Sequence, residues 1–207
     1  MALAGARYLA ALVSTVPDPA CAAWWRGARP SRRRWVGTAM VAVVFGALAG
    51  RAAGWGAALP AFIALALVAA PLAVIDARCH RLPDRLVGVG AMAATGLLGA
   101  AAIIGSAGWA LARAAASAAM VAVGGLVLVL AAPDSIGFGD VKLAALLASY
   151  LGWLGWARVG CGILAGMLCG AGAAVGLLVT RRVSMRTPIA IGPALIAGAL
   201  AVAAMPY

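Results

Sequence analysis

WGAALPAFIALALVAAPLAVIDARCHRLPDRL, residues 55–86, holds no charged residue from Trp55 to Ile75, and then six within the next ten positions: Asp76, Arg78, His80, Arg81, Asp84 and Arg85 with the histidine counted. A membrane span needs about 20 mainly apolar residues. The run is long enough to cross a bilayer, and the abrupt basic end reads as the edge of one. The rest of the chain repeats the pattern. Of its 207 residues 66% are hydrophobic and 10% charged, whereas a soluble domain is roughly half apolar and a quarter charged. No soluble core absorbs so much apolar surface, so the bilayer is the expected solvent.

Seven apolar runs are expected to be helices, at about 35–50, 55–75, 86–105, 110–132, 142–157, 160–180 and 188–206. The fold class that follows is all-α, a polytopic membrane bundle of about seven transmembrane helices. Leu3–Val16 adds an eighth if it spans. Residues 1–34 form an N-terminal interfacial or marginal segment with a basic cluster, and residues 35–207 the membrane-embedded domain. The net charge is +11, nearly all from Arg. These Arg lie in short connections rather than on one face, which excludes a nucleic-acid footprint and records orientation instead. With Arg26–Arg34 in the cytoplasm, Arg78, Arg81, Arg85, Lys142, Arg181, Arg182 and Arg186 are cytoplasmic too. Only Arg51, Arg113 and Arg158 fall on the other side. The basic surface is expected to meet anionic lipid.

The four Cys form no C-x-x-C pair, so no zinc site or other metal is expected. Cys161 and Cys169 read as small packing residues. Gly46-x-x-x-Gly50-x-x-x-Gly54 and Gly162-x-x-x-Gly166-x-x-x-Gly170 have the spacing of close helix contacts, read first as packing within one bundle and second as dimerisation.

There is no Glu, and four of the five Asp fall in two loops expected on one side. VIDARCHRLPDRL, residues 74–86, carries Asp76 and Asp84. APDSIGFGDVKLA, residues 132–144, carries Asp134 and Asp140. Asp84 and Asp134 follow Pro and read as solvated or helix-start residues. Asp76 and Asp140 stand at the hydrocarbon edge, where acids are functional candidates. Two close carboxylates do not both ionise easily. The ionised one activates water and the protonated one polarises a peptide carbonyl, which is aspartyl protease chemistry without metal or cofactor. Gly137 and Gly139 leave room for a substrate backbone. Asp140 opens a helix and Asp76 closes one, so the dipoles predict Asp140 as the base and Asp76 as the proton-bearing acid.

GFGDVKLAALLASYLGW, residues 137–153, resembles the G-x-G-D-V-K-L signature of the type IV prepilin peptidases. IDARCHRLPDRL resembles that family's other Asp segment. TPIAIGPALIAGAL, from Thr187, resembles its final span, with Pro193 in the Gly-Pro step. The resemblance covers residues from about 35 to the end. It implies a multi-pass endopeptidase of the cytoplasmic membrane, active near the cytoplasmic face. Its substrates would be prepilins or pseudopilins, cut after a Gly at the end of a basic leader. It implies Asp76 and Asp140 as the catalytic pair, with Gly137, Gly139, Lys142, Asp84 and Pro193 binding substrate or supporting the site. Lys142 is equally open to a structural role. Many members also carry a Cys-rich N-terminal domain and methylate the new terminus. That domain has no counterpart in residues 17–34, so methylation is not expected.

Four other readings compete. Pro193-Ala194-Leu195 matches a motif of presenilin-type and signal-peptide-peptidase-type G-x-G-D proteases, although Ile75 and Val141-Lys142-Leu143 favour the prepilin type. A transporter or proton relay would place acids in mid-span, and a structural subunit would use the Asp only as loop residues. A membrane serine protease would need His80 opposite a Ser, yet His80 sits in a charged loop.

Overall fold

The computed structural model describes residues 32–79, 82–132, 137–180 and 190–206. Among these are seven helices: α1 (Arg32–Ala53), α2 (Leu59–Cys79), α3 (Asp84–Ile104), α4 (Gly108–Ala131), α5 (Phe138–Leu154), α6 (Trp156–Val179) and α7 (Gly192–Ala203). The segment Leu3–Val16, the cluster at Arg26, Arg29 and its neighbours to residue 31, His80, Asp134, Arg181, Arg182 and Arg186 lie outside the described residues.

The helices follow the seven apolar runs in order, and their ends differ where the site is built. α5 begins at Phe138, so Asp140 lies inside its first turn. α2 continues to Cys79, which puts Asp76 in its last turn. α2 to Ala77, α3, α4 and α6 are long and apolar enough to cross a membrane by length and composition. α1 and α7 are shorter as apolar helices, Gly37–Ala53 and Gly192–Ala203. α7 has 12 residues, which rise about 18 Å, well short of a hydrocarbon core of roughly 30 Å.

Two turns need glycine. Gly54 follows α1 with φ +59°, in the left-handed region, and its N–H returns to Gly50 O at 3.1 Å. Gly155 alone joins α5 to α6, with φ 155° and ψ 157°, a conformation open essentially to glycine only.

The core is made by α2, α5 and α7. Phe62, Leu65, Leu72 and Ile75 of α2 meet Leu143, Leu147, Tyr150 and Leu151 of α5 and Leu195, Ile196 and Leu200 of α7, all buried. α4 contributes only Ala114 and Ser117 to buried surface, and its exposed Met120, Val123, Val127 and Leu130 suit a lipid-facing helix. Tyr150 is fully buried edge-on to Phe62, with ring centroids 5.4 Å apart. Its hydroxyl has no hydrogen-bond partner among the described residues. An unpaired buried hydroxyl costs stability and a hydrogen does not. Tyr150→Phe is therefore expected to leave the melting temperature unchanged or raise it, by up to about 1 kcal/mol in stability.

The second glycine series packs within the bundle, as its first reading holds. A Cβ on Gly162 would stand 2.7 Å from Leu151 Cδ1, and one on Gly166 would stand 2.7 Å from Leu195 Cα. Gly46, Gly50 and Gly54 differ, because nothing lies within 4 Å of their Cβ positions. Cys161 and Cys169 correct the packing expectation: both are exposed on the outer face of α6. Their helix turns its Gly162, Gly166 and Gly170 inward instead.

Arg51, Arg113 and Arg158 gather at one end of the bundle, and each has a use there. Arg113 Nε and Nη2 donate to Gly152 O and Trp153 O, both at 2.6 Å, at the C-terminus of α5. Arg158 Nη1 donates to Val202 O at 2.9 Å and Ala203 O at 2.6 Å, while Arg51 Nε donates to Ala204 O at 3.0 Å. The last carbonyls of a helix lack partners within it, and a cation beside them also meets the negative end of the dipole. Three basic residues on the side otherwise poor in them thus end two short helices.

Candidate active site

The two Asp segments meet at the opposite end of the bundle. Lys142 Nζ of α5 donates to Asp84 Oδ1 of α3 at 2.7 Å, and it also stands 4.6 Å from the centre of the Phe138 ring. A Cβ on Gly139 would lie 3.3 Å from Leu82 Cβ, so the connection leading into α3 packs directly over the first turn of α5. Gly139 thereby has a packing reason for its missing side chain. Gly137 differs: it is exposed, and a Cβ there would come 3.3 Å from Asp140 Oδ2. Its absence leaves that oxygen open.

Asp140 sits half-buried in the first turn of α5, ahead of the apolar run from Leu143. Burial pushes its carboxyl above the ordinary carboxylate range, and the nearby Asp76 charge pushes it further. The two acids of the sequence pattern are therefore electrostatic neighbours. Asp76 is buried, 5% exposed. Its Oδ2 accepts the N–H of Gly192, the first residue of α7, at 2.9 Å.

That contact sets a second helix end beside the one used in the dipole argument from sequence. Asp76 does end α2, but it also faces the N-terminus of α7, where unpaired N–H groups favour an anion. A direct 2.9 Å hydrogen bond outweighs the diffuse field of the helix end behind it. Asp76 thus has a backbone donor, and Asp140 a carboxyl raised by burial.

The remaining candidates divide. Asp84 is 73% exposed and Lys142 34% exposed in their side chains, so their ion pair ties α3 to α5 at the rim of the site. Pro193 lies in the first turn of α7, where its fixed φ and missing N–H suit a helix start. Beside it an apolar groove is lined by Val41, Phe45, Ala73 and Ala77. A larger cavity of about 670 Å³ opens between α3, α4 and α5, with Asp84, Lys142 and Phe138 at its polar end. No group of three or more His, Cys, Asp or Glu placed to hold a metal occurs among the described residues. Gly192 is the residue that sequence reasoning missed, because it acts through its backbone. The Gly-Pro step at a helix start was its one visible signal.

An exposed ion pair is worth little, about 0–1 kcal/mol. Asp84→Asn and Lys142→Met should each lower thermal stability by no more than that, and added salt should erase the difference from the parent chain. A loss of several kcal/mol would give this pair a larger part in holding α3 to α5.

The profile of the type IV leader peptidase family matches residues 61–177, which include Asp76, Asp140 and all of α3, α4 and α5. Two proteins named prepilin leader peptidase/N-methyltransferase, from Burkholderia pseudomallei strains 1026b and K96243, are each 44% identical over 70 residues. That stretch is 33% of this chain and 21% of each relative, so the chain spans about a fifth of the length of the curated relatives it matches. No solved structure matches the chain. With its profile covering more than half of the residues, the chain belongs to the type IV leader peptidase family.

Proposed function

We propose that the protein is an aspartyl endopeptidase of the cytoplasmic membrane that removes the leader peptide of type IV prepilins or pseudopilins near the cytoplasmic face. The observation that carries this reading is the meeting of Asp76 and Asp140 at one end of a membrane bundle, Asp76 buried and Asp140 half-buried, with the Asp76 charge pushing the Asp140 carboxyl up. Family membership supplies the class of substrate. Anionic lipid is the natural neighbour for the Arg-rich cytoplasmic connections.

In this mechanism Asp76 is the base and Asp140 the acid. Asp76, held as the anion by the Gly192 N–H, takes a proton from water as the water oxygen attacks the scissile carbonyl carbon. Asp140 gives its proton to the carbonyl oxygen, forming a neutral tetrahedral diol. Collapse breaks the C–N bond: the proton on Asp76 goes to the leaving nitrogen, and a diol proton returns to Asp140. The cycle regenerates both acids and consumes one water. Exposed Gly137 lets the substrate backbone reach Asp140, and the cavity beside Lys142 and Phe138 gives the apolar part of the substrate a place in the bilayer.

The test is cleavage of a pilin-like precursor by the purified chain in lipid vesicles, with the products identified by mass. The reading predicts one cut at the junction of the basic leader and the apolar helix. An intact precursor in the presence of folded protein would contradict it.

A further inference from the structure

The first N–H groups of a helix have no partner within that helix. In α7 the N–H of Gly192 spends this freedom on Asp76. Space explains why a glycine stands there. A Cβ on Gly192 would lie 2.5 Å from Asp76 Oδ2, 3.1 Å from its Cγ and 3.4 Å from Leu143 Cδ2. Gly192 is not among the positive-φ residues, so proximity to the carboxylate, and not backbone conformation, excludes a side chain.

The amide is aimed by a helix that is held along its whole length. Pro193 sets its first turn. Midway, Gly198 lies against Gly166 so closely that a Cβ would overlap the Gly166 backbone. At the far end Arg158 grips Val202, Ala203 and Met205 O, the last at 2.8 Å, and Arg51 grips Ala204 O. A helix seated at its middle and bound at its end cannot slide along its axis, so the position of its first N–H is set.

We propose that Gly192 is a positioning residue for the Asp76–Asp140 pair, its amide fixing which way the Asp76 carboxylate faces. The proposal rests on the peptidase reading of that pair. It assigns α7 a task other than crossing the membrane: a strut that carries the register set at the arginine end to the acids at the other.

The experiment uses the full chain in lipid vesicles with a pilin-like precursor. Two changes are compared: Gly192→Ala, and an amide-to-ester exchange at Gly192, which deletes the N–H and adds no side chain. Gly96→Ala serves as the reference, since nothing lies within 4 Å of its Cβ position. A hydrogen bond to a charged group removed in this way should lower kcat about ten- to a hundred-fold, with KM within about two-fold. Gly192→Ala should lose at least as much, and Gly96→Ala nothing. The second readout is the isotope-edited infrared carboxylate band of Asp76, taken without substrate, which should shift in the ester form. An unshifted band, an unchanged kcat, or a loss confined to KM would each overturn the proposal. If the parent chain cuts no precursor, the peptidase reading fails by itself, and the infrared band still decides whether Gly192 holds Asp76.

Discussion

Asp76→Asn and Asp140→Asn should each reduce precursor cleavage by about a thousand-fold or more, at unchanged protein level. General acid–base contributions are typically 10²–10⁴-fold per group, and residues that act as a unit do not compensate for one another. An amide at position 76 cannot take a proton from water, although its oxygen can still accept the Gly192 N–H. An amide at position 140 can donate a hydrogen bond but cannot pass a proton on. The stability of the second variant separates chemistry from folding. Burial raises the Asp140 carboxyl above its ordinary value of 3.8. Between that value and the raised one, the folded state holds a proton that the unfolded state has lost. Stability therefore falls as pH rises through this window, and above it the buried charge is a cost. Asp140→Asn removes the cost, so at neutral pH it should melt at or above the parent temperature while cutting nothing. Retained cleavage in either variant would dismiss the pair. A large drop in melting temperature for Asp140→Asn would dismiss the account of its burial.

Gly198→Val should be the most damaging change outside the acids. A Cβ at this position overlaps the Gly166 backbone and comes 2.8 Å from Ala165 C. Backbone cannot rotate away as a side chain would, so α7 must leave its seat on α6. Overpacking costs about 1–3 kcal/mol, and more when no neighbour yields. The expected result is a melting temperature lowered by at least that much, with cleavage lost as well, because α7 carries the amide that holds Asp76. Gly160→Ala and Gly172→Ala on α6 have nothing within 4 Å of the Cβ position and should melt within about 0.5 kcal/mol of the parent or slightly above it. Equal effects at positions 198 and 172 would show that α6 and α7 are not packed as described.

Much of this was legible in the residues. The apolar runs place all seven helices because in a bilayer every backbone polar group must be satisfied within the segment, which leaves composition as a direct record of secondary structure. The two Asp stand out because acids are scarce in this chain and sit at run ends, and their neighbourhood follows from the side that both loops share. The helix ends were less legible. Whether Asp140 lies before or within a helix depends on Gly137, Phe138 and Gly139, whose propensities oppose one another. The length of α7 was hidden because Ile191 and its neighbours are as apolar as the helix itself. The proposed acid and base roles reverse those expected from sequence, because sequence shows only the helix that each Asp belongs to. It does not show the helix start that another segment brings against it, and Gly192 is 116 residues from Asp76. The arginines opposite the site illustrate the same point: as charges they record orientation, and only the packed bundle shows them ending α5 and α7.

The pairing of the acids is tested most directly by an isotope-edited infrared titration of the Asp carboxyl protons, in the parent chain and in Asp140→Asn, both in lipid vesicles. The account predicts that the last carboxyl proton in the parent leaves above the ordinary carboxylate range, and that this step vanishes in Asp140→Asn. It also predicts that the base limb of the cleavage profile falls at the same pH, since Asp140 must hold its proton to work. Carboxyl protons all lost within the ordinary range, or a high step that survives Asp140→Asn, would contradict it.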